Sequence, residues 1–336
     1  MRKILITGGA GFIGLHLAKH LLKNPENTLV LTDNLQRGRM DAELTAFLET
    51  NKDRVKFIQA DLTDVDVWEQ FDHQDFDQLY HLAAINGTKN FYDQPYPVLY
   101  INTLVLIWGI EWAGRQSKKP KVMFTSSNEA YAGGLNAFGQ LPIPTPEKVP
   151  LVIEDVYNPR WTYAGTKLIG EQFMIWGAKQ HKFPAVIVRP HNFYGPRAGY
   201  DHVIPEFSER IMNHVDPFVI NGADDTRTFC YIEDAVRAMQ MIMDHDKTSG
   251  EEVHTYHIGD REELTMRELA EKMFDVAGWK PSSMTINPSP AGSVKRRLAE
   301  ISKIREHIGW EPETDLMRGL KQTYEWYIAN PKPEKK

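Results

Sequence analysis

At 336 residues the chain can bury a sizeable core, as one large domain or two unequal lobes. A net charge of −6 with no long basic run argues against nucleic acid as a partner, and one cysteine, Cys230, excludes an intrachain disulfide or a thiolate metal site. The twelve histidines are scattered without ligand spacing, so no metal is expected.

The first predicted strand, Lys3–Thr7, runs into Thr7-Gly8-Gly9-Ala10-Gly11-Phe12-Ile13-Gly14, and a helical pattern follows over Phe12–Lys23. A strand–glycine turn–helix of this kind brings backbone N–H groups and a helix N-terminus up to a pyrophosphate. The next strand, Thr28–Asp33, ends in an acid about twenty residues beyond the glycines, where a carboxylate would bond an adenosine ribose and repel a 2′-phosphate. The expected cofactor is therefore NAD, although Arg37 lies close enough in sequence to weaken the discrimination against NADP.

Strands are then predicted at Val55–Gln59, Gln78–Leu82, Val122–Ser126 and Ala185–Arg189. Helices fall at Asp41–Thr50, Val65–Phe71, Val98–Arg115 and Tyr163–Gln180. Such alternation predicts an α/β fold, a Rossmann-type doubly wound parallel sheet, over residues 1–189. Over residues 190–330 shorter strands (Phe218–Ile220, Thr255–Ile258, Met284–Ile286) mix with helices at Ile204–Asn213, Glu233–Asp244, Met266–Val276, Ser302–His307 and Leu316–Ala329. This reads as a smaller mixed α/β C-terminal substrate lobe, some of whose segments can return to the sheet. A ligand cleft lies between the two. Pro331–Lys336 reads as a solvated tail. No apolar stretch is read as reaching the roughly twenty residues of a membrane span. The glycines interrupt any signal-peptide core, so no membrane contact and a cytoplasmic location are expected.

Two constellations carry chemistry. In Tyr163-Ala164-Gly165-Thr166-Lys167, tyrosine and lysine share a helix face one turn apart. A free phenol titrates near pH 10, and a neighbouring ammonium favours the phenolate a base requires. A plain helical surface pair is the alternative. The apolar strand at Phe124 ends in Thr125-Ser126-Ser127-Asn128-Glu129, where Ser127 can bond a substrate hydroxyl or simply cap the strand end. Cys230 lies in an apolar run and reads as core.

The glycine turn, Asp33, Asp61-Leu62, His81-Leu82-Ala83-Ala84, the serine cluster, Tyr163/Lys167 and Arg189-Pro190-His191-Asn192-Phe193-Tyr194-Gly195-Pro196-Arg197 occur in order. Thr226-Arg227-Thr228, Arg297-Leu298 and Gly309-Trp310-Glu311-Pro312 follow. Together they resemble the extended short-chain dehydrogenase/reductases that act on nucleotide sugars, over nearly the whole chain.

The resemblance implies an NAD-dependent epimerase or dehydratase. It would work on a nucleotide-diphosphate sugar by transient oxidation of a sugar carbon, usually C4, to a ketone. By resemblance, Gly8, Gly11, Phe12, Ile13 and Gly14 hold the pyrophosphate, and Asp33 and Asn34 the adenosine ribose. Asp61 and Leu62 flank the adenine, and Leu82, Ala83, Ala84 and Pro190 line the cofactor channel. Ser127, Tyr163 and Lys167 are implied as the catalytic core, with Glu129 as second acid/base. Asn86, Ser127, Asn128, Asn192, Val203, Arg227 and Arg297 are implied to contact substrate, the two arginines as phosphate partners.

Glu129 bears on the reaction, because 4,6-dehydratases and uronate decarboxylases carry a glutamate there, while simple 4-epimerases usually lack an acid. Facing solvent or capping a helix is its alternative. Asn128 stands where the 4,6-dehydratases have Asp or Ser; an amide does not donate a proton as an acid does, which argues against a 4,6-dehydratase of the Asp-Glu type. Ala132, Val105 and the Asn86–Asn90 loop also depart from the usual pattern. A decarboxylase of a nucleotide-linked uronic acid is the second enzyme reading, and a non-catalytic NAD-binding sensor the third. The helices Val98–Arg115 and Tyr163–Gln180 match those that pair in family homodimers, and Leu104, Ile107, Trp108 and Trp112 fit such a face or packing on the sheet.

Overall fold

The structure is a computed structural model, and it describes residues 1–137, 141–289 and 293–332. Seven strands form one parallel sheet. In chain order the elements begin β1 (Arg2–Thr7), α1 (Phe12–Leu21), β2 (Asn27–Asp33), α2 (Ala42–Thr50), β3 (Val55–Gln59), a 3-10 turn (Asp66–Phe71) and β4 (Gln78–His81). They continue with α3 (Thr88–Asp93), α4 (Pro95–Arg115), β5 (Lys121–Thr125), α5 (Glu129–Ala137), α6 (Trp161–His181) and β6 (Ala185–Pro190). Ile4, Leu5 and Ile6 of β1 are fully buried, as both faces of a parallel sheet covered by helices demand.

The second half comprises β7 (Phe193–Tyr194), α7 (Val203–Met212), β8 (Phe218–Asn221), β9 (Thr226–Arg227), β10 (Cys230–Tyr231) and α8 (Ile232–Asp244). There follow β11 (His254–Ile258), β12 (Leu264–Thr265), α9 (Met266–Ala277), β13 (Met284–Asn287), α10 (Ser302–Ile308) and α11 (Leu316–Ala329). The sheet order is β11-β6-β5-β4-β1-β2-β3. After β3 the chain crosses to the other side of β1, so the topological switch point lies between β1 and β4. Their ends are level, with Thr7 opposite His81, and the glycine turn leaves β1 beside the Leu82–Ala84 segment leaving β4.

The strand read at Thr255–Ile258 within the C-terminal lobe is one of the segments that return to the sheet: it is the seventh strand, pairing His257 with Arg189. Helix α8 likewise packs on α1. What remains apart from the sheet is a layer of small pairs: β13 with β8 and β12 with β9 pack on α9, which in turn packs with α7 and α11, and β10 with β7 packs on α8. Several elements differ from expectation. Helices α3 and α5 were not anticipated; both are under three turns long, and α5 carries glycines that weaken a helical pattern. The Val65–Phe71 segment is 3-10 rather than α. Helix α4 begins at Pro95, where a proline suits the first turn.

Contrary to the reading of the sequence, α4 at 21 residues is long and apolar enough to cross a membrane by length and composition. In the fold it packs along α6, and its buried residues Leu106, Ile110, Trp112 and Ala113 join the core beneath the sheet. Trp112 is fully buried, so it packs on the sheet side and not on an outer face. The tail at Pro331–Lys336 lies outside the described residues beyond residue 332.

Candidate active site

The glycine turn is shaped by close backbone contacts. Gly8 has φ +71°, and an added Cβ would lie 3.0 Å from Ala83 N. At Gly14 a Cβ would lie 2.3 Å from Gly8 O and 2.8 Å from Gly9 Cα. Gly11 is the N-cap of α1 and supplies no side-chain cap. The first-turn N–H groups of α1 are therefore open to an anion at the switch point. Phe12 and Ile13, in that first turn, pack against the core.

On the far wall, Thr7 Oγ1 accepts from Leu82 N (3.1 Å) and Ala83 N (3.2 Å), which fixes the channel segment that continues to Ala84. Asp33 Oδ2 accepts from Ala10 N at 3.1 Å and Oδ1 from Leu35 N at 2.8 Å. Burial raises its pKa, against the pull of these bonds. Asn34 Oδ1 accepts from Gln36 N and closes the same turn. Asp61 accepts from Thr63 N and Oγ1, while Leu62 is buried in the core and its carbonyl takes Trp68 Nε1.

Strand β5 and helix α6 bring the reactive groups together. Ser127 follows the end of β5; its hydroxyl accepts from Glu129 N at 3.2 Å, donates to Asn128 Oδ1 at 3.3 Å, and lies near enough to the Tyr163 phenol to favour its ionisation. Tyr163 lies flat against Phe91 of α3, with ring centroids 5.0 Å apart. Burial and the Glu129 charge raise its pKa, while Ser127 and Arg37 pull the other way. In this state Tyr163 is a neutral phenol.

Lys167 Nζ donates to Thr125 O at 2.8 Å and sits 5.4 Å from the Tyr163 ring centre. Burial lowers its pKa to about 7, with Glu171 opposing. Beneath it, Glu171 accepts two 2.7 Å bonds from Arg189 and one of 2.6 Å from Ser126 Oγ, all buried. This ties α6, β5 and β6 together under the site. Asn102 of α4 exchanges bonds with both backbone groups of Ile85, which holds the start of the Asn86 loop.

At the other end of the cleft, Glu129 is clamped between Arg297, with which it makes a short ion pair, and Arg160, at 3.4 Å. Burial would raise its pKa, but Arg297, Arg160 and Arg227 outweigh burial and hold the carboxyl below its usual range. Arg297 was expected as a phosphate partner and Glu129 as an acid/base; the structure joins the two. Arg160, three residues before Tyr163, was not singled out, though its place one turn upstream of the reactive tyrosine is a signal for it.

Asn128 Nδ2, Arg160 Nε and Arg297 Nε are buried donors without a partner among the described residues. Arg227 Nη1 donates to Thr226 O and Lys295 O, and burial beside Arg297 lowers its pKa to about 9. Asn192, at φ +43°, donates to Thr228 O at 2.8 Å. Asn86 Oδ1 accepts from Gly87 N, Val203 opens α7, and the Pro190 carbonyl takes Asn128 N.

Residues 4–259 match the model of the NAD dependent epimerase/dehydratase family. The chain belongs to this family. It is 30% identical, over 97% of its length and 98% of the relative's, to a UDP-N-acetyl-alpha-D-glucosaminuronate decarboxylase of Bacillus cytotoxicus. It is 28% identical to a dTDP-glucose 4,6-dehydratase of Salmonella typhimurium, over 98% of this chain and 93% of the other. Among solved structures it is similar to UDP-glucuronic acid 4-epimerase from Bacillus cereus in complex with UDP-glucuronic acid and NAD, with TM-score 0.84, 26% identity, and coverage of 97% and 99% of the two chains. The uncapped N-terminus of α1 facing the switch point, with a carboxylate at the end of β2, fits the pyrophosphate and ribose of NAD.

Proposed function

We propose that this protein is an NAD-dependent epimerase or dehydratase of a nucleoside-diphosphate sugar, with Tyr163, Ser127, Lys167 and Glu129 as its reacting groups. The observation that carries the reading is the convergence of the Ser127 hydroxyl, the Tyr163 phenol and the Glu129 carboxylate at the carboxyl end of β5, beside the glycine turn. NAD supplies acceptance of a hydride from a sugar carbon and its return, so that the carbon, C4 in this reading, is transiently a ketone. Burial alone keeps Tyr163 protonated; the positive nicotinamide of bound NAD would favour its phenolate, and in that form Tyr163 Oη would take the sugar hydroxyl proton, with Ser127 Oγ relaying it. Lys167 holds cofactor and ring in place. Glu129, kept ionised by its arginines, is a base for the C–H bond that the ketone acidifies. Asn192 and Arg227 take the diphosphate, with Arg297 at its sugar end.

The test is mass spectrometry of the protein incubated with NAD and a panel of UDP-, GDP-, CDP- and dTDP-sugars. Loss of water reports elimination, and unchanged mass with a new retention time reports epimerisation. NAD-bearing protein that changes none of the sugars overturns the reading.

A second reading, decarboxylation of a nucleotide-linked uronic acid, is favoured by one observation. Two arginines flank a single carboxylate at Glu129, and a third, Arg227, adds to the positive field there, so the pocket has cation to offer a second carboxylate. Release of carbon dioxide from UDP-uronic acids separates it from the first.

Homodimer formation is proposed through the outer face of α4 and α6. Leu99, Tyr100, Ile169, Phe173 and Trp176 are exposed there, an apolar patch of the kind that marks an interface. Light scattering at micromolar concentration giving a monomer would remove the proposal. The enzyme is assigned to the cytoplasm, in keeping with a single buried thiol and a nucleotide-linked substrate.

A further inference from the structure

Arg37 is the group near the cleft whose chemistry the proposed reaction leaves unused. It stands in the loop between β2 and α2, four residues after Asp33, yet the two form no ion pair. The side chain reaches across the groove instead. A Cβ built on Gly87 would lie 3.3 Å from its Nη1 and 3.4 Å from its Nη2, and one on Gly199 would lie 3.6 Å from Nη2. The guanidinium is therefore wedged between the loop after β4 and the loop before α7, with Tyr163, Asp201 and His202 within electrostatic reach. It remains solvent-exposed in this position, and it makes no hydrogen bond or ion pair with the described residues. Five N–H donors on a fixed charge thus face an open groove with no acceptor.

Opposite it, the glycine turn offers only backbone N–H groups and the α1 N-terminus, and the first turn of α1 contains no basic side chain. The one guanidinium at that turn, Arg197, has its donors taken by Gly11 O, Arg39 O and Asp41, so a dinucleotide's two phosphate charges meet chiefly backbone dipoles there. We propose that Arg37 is the cationic clamp on the dinucleotide's pyrophosphate, reaching from the ribose-binding loop across the groove between Gly87 and Gly199. Arginine suits this place because its planar fork bonds phosphate oxygens in pairs. The clamp also links the adenosine end of the site to the catalytic end, since the loop that carries Asp33 carries the residue facing Tyr163. Turned this way, Arg37 does not serve a 2′-phosphate at Asp33.

The inference rests on the NAD reading and on no particular sugar. Calorimetric titration of the wild-type protein, Arg37→Ala and Arg37→Lys with NAD, ADP-ribose and AMP tests it. Arg37→Ala is expected to bind NAD and ADP-ribose about 10- to 100-fold more weakly, with AMP changed much less and Arg37→Lys intermediate. The salt dependence of NAD affinity should also flatten in Arg37→Ala. Unchanged NAD affinity overturns the clamp, and so does an equal loss for all three ligands, which marks a role in loop structure. Wild-type protein freed of any copurified nucleotide that binds none of the three overturns the cofactor reading itself. Thermal unfolding of each variant keeps a folding defect apart from a binding defect.

Discussion

At the glycine turn the cleft is walled by backbone, with Gly8, Gly11 and Gly14 packed so closely that a single added methyl meets main-chain atoms. At the Glu129 end it is walled by side chains from four separate segments, at residues 129, 160, 227 and 297. The first end binds with dipoles whose positions the fold dictates, and it suits one ligand type. The second binds with long charged side chains whose ends can be retargeted by substitution without moving the backbone. On the proposed reading, substitutions at the side-chain end would change which sugar is bound and what happens to it, while the backbone-built end would keep its chemistry.

The contrast can be broken at several points. Tyr163→Phe lies between the two ends and should reduce turnover about 10²- to 10⁴-fold while NAD binds unchanged by calorimetry. A variant with full turnover removes Tyr163 from the mechanism. Arg189→Ala acts below both ends and leaves Glu171 buried without its partner. A loss of about 3–5 kcal/mol in urea unfolding is expected, because stripping one member of a buried pair strands the other charge. A loss under about 1 kcal/mol would mean that water reaches Glu171.

Gly14→Ala tests the backbone-built end itself and should cost about 1–3 kcal/mol and abolish detectable NAD binding. Gly165→Ala, whose methyl meets nothing closer than Ile153 Cδ1 at 3.7 Å, should instead stabilise α6 by up to about 1 kcal/mol. Equal effects of the two would show that the turn tolerates side chains.

The last test is a pH slope. Lys167 has its pKa lowered from 10.5 to about 7 by burial. Below pH 7 both folded and unfolded chains hold the proton, and the cost of burying the charge is present in full. Between pH 7 and 10.5 the unfolded chain binds more protons, so Lys167 makes stability rise with pH, by at most about 1.4 kcal/mol per unit. Lys167→Met should lose that component of the slope, and an identical pH profile in wild type and variant would contradict it.

What could be read from the chain follows the same division. The glycine turn, Asp33 and the Tyr163/Lys167 pair are local patterns, and spacing along one strand or helix is enough to see them. The Glu129–Arg297 pair joins residues 168 apart, and nothing in either neighbourhood announces the other. The strand at His254–Ile258 was visible as a strand, but its membership of the main sheet depends on a crossover through α8 that short-range pattern does not encode. Trp112 was compatible with an outer face or the sheet, and its ring packs among Trp68, Phe71 and Phe76. Arg37 was seen as a neighbour of Asp33 because it is close in sequence; the positive φ of Leu35 is one feature of the loop that carries it elsewhere.

Arg197 connects the halves in another way. Its guanidinium donates to Gly11 O at 3.0 Å, to Arg39 O at 2.9 Å and to Asp41 Oδ2 at 2.7 Å, while the neighbouring Pro196 carbonyl meets His16. The second half is thereby bolted to the outside of the turn that cradles the pyrophosphate. Opening the molecule like a clam would break all of these bonds together, so on the proposed reading cofactor exchange by local loop fluctuation is favoured over opening of the halves. On the proposed reading, a dinucleotide seated behind such a latch is expected to exchange slowly and to stay with the enzyme from one turnover to the next. That suits a reaction in which the hydride is borrowed and returned within one catalytic cycle and fresh cofactor is never required.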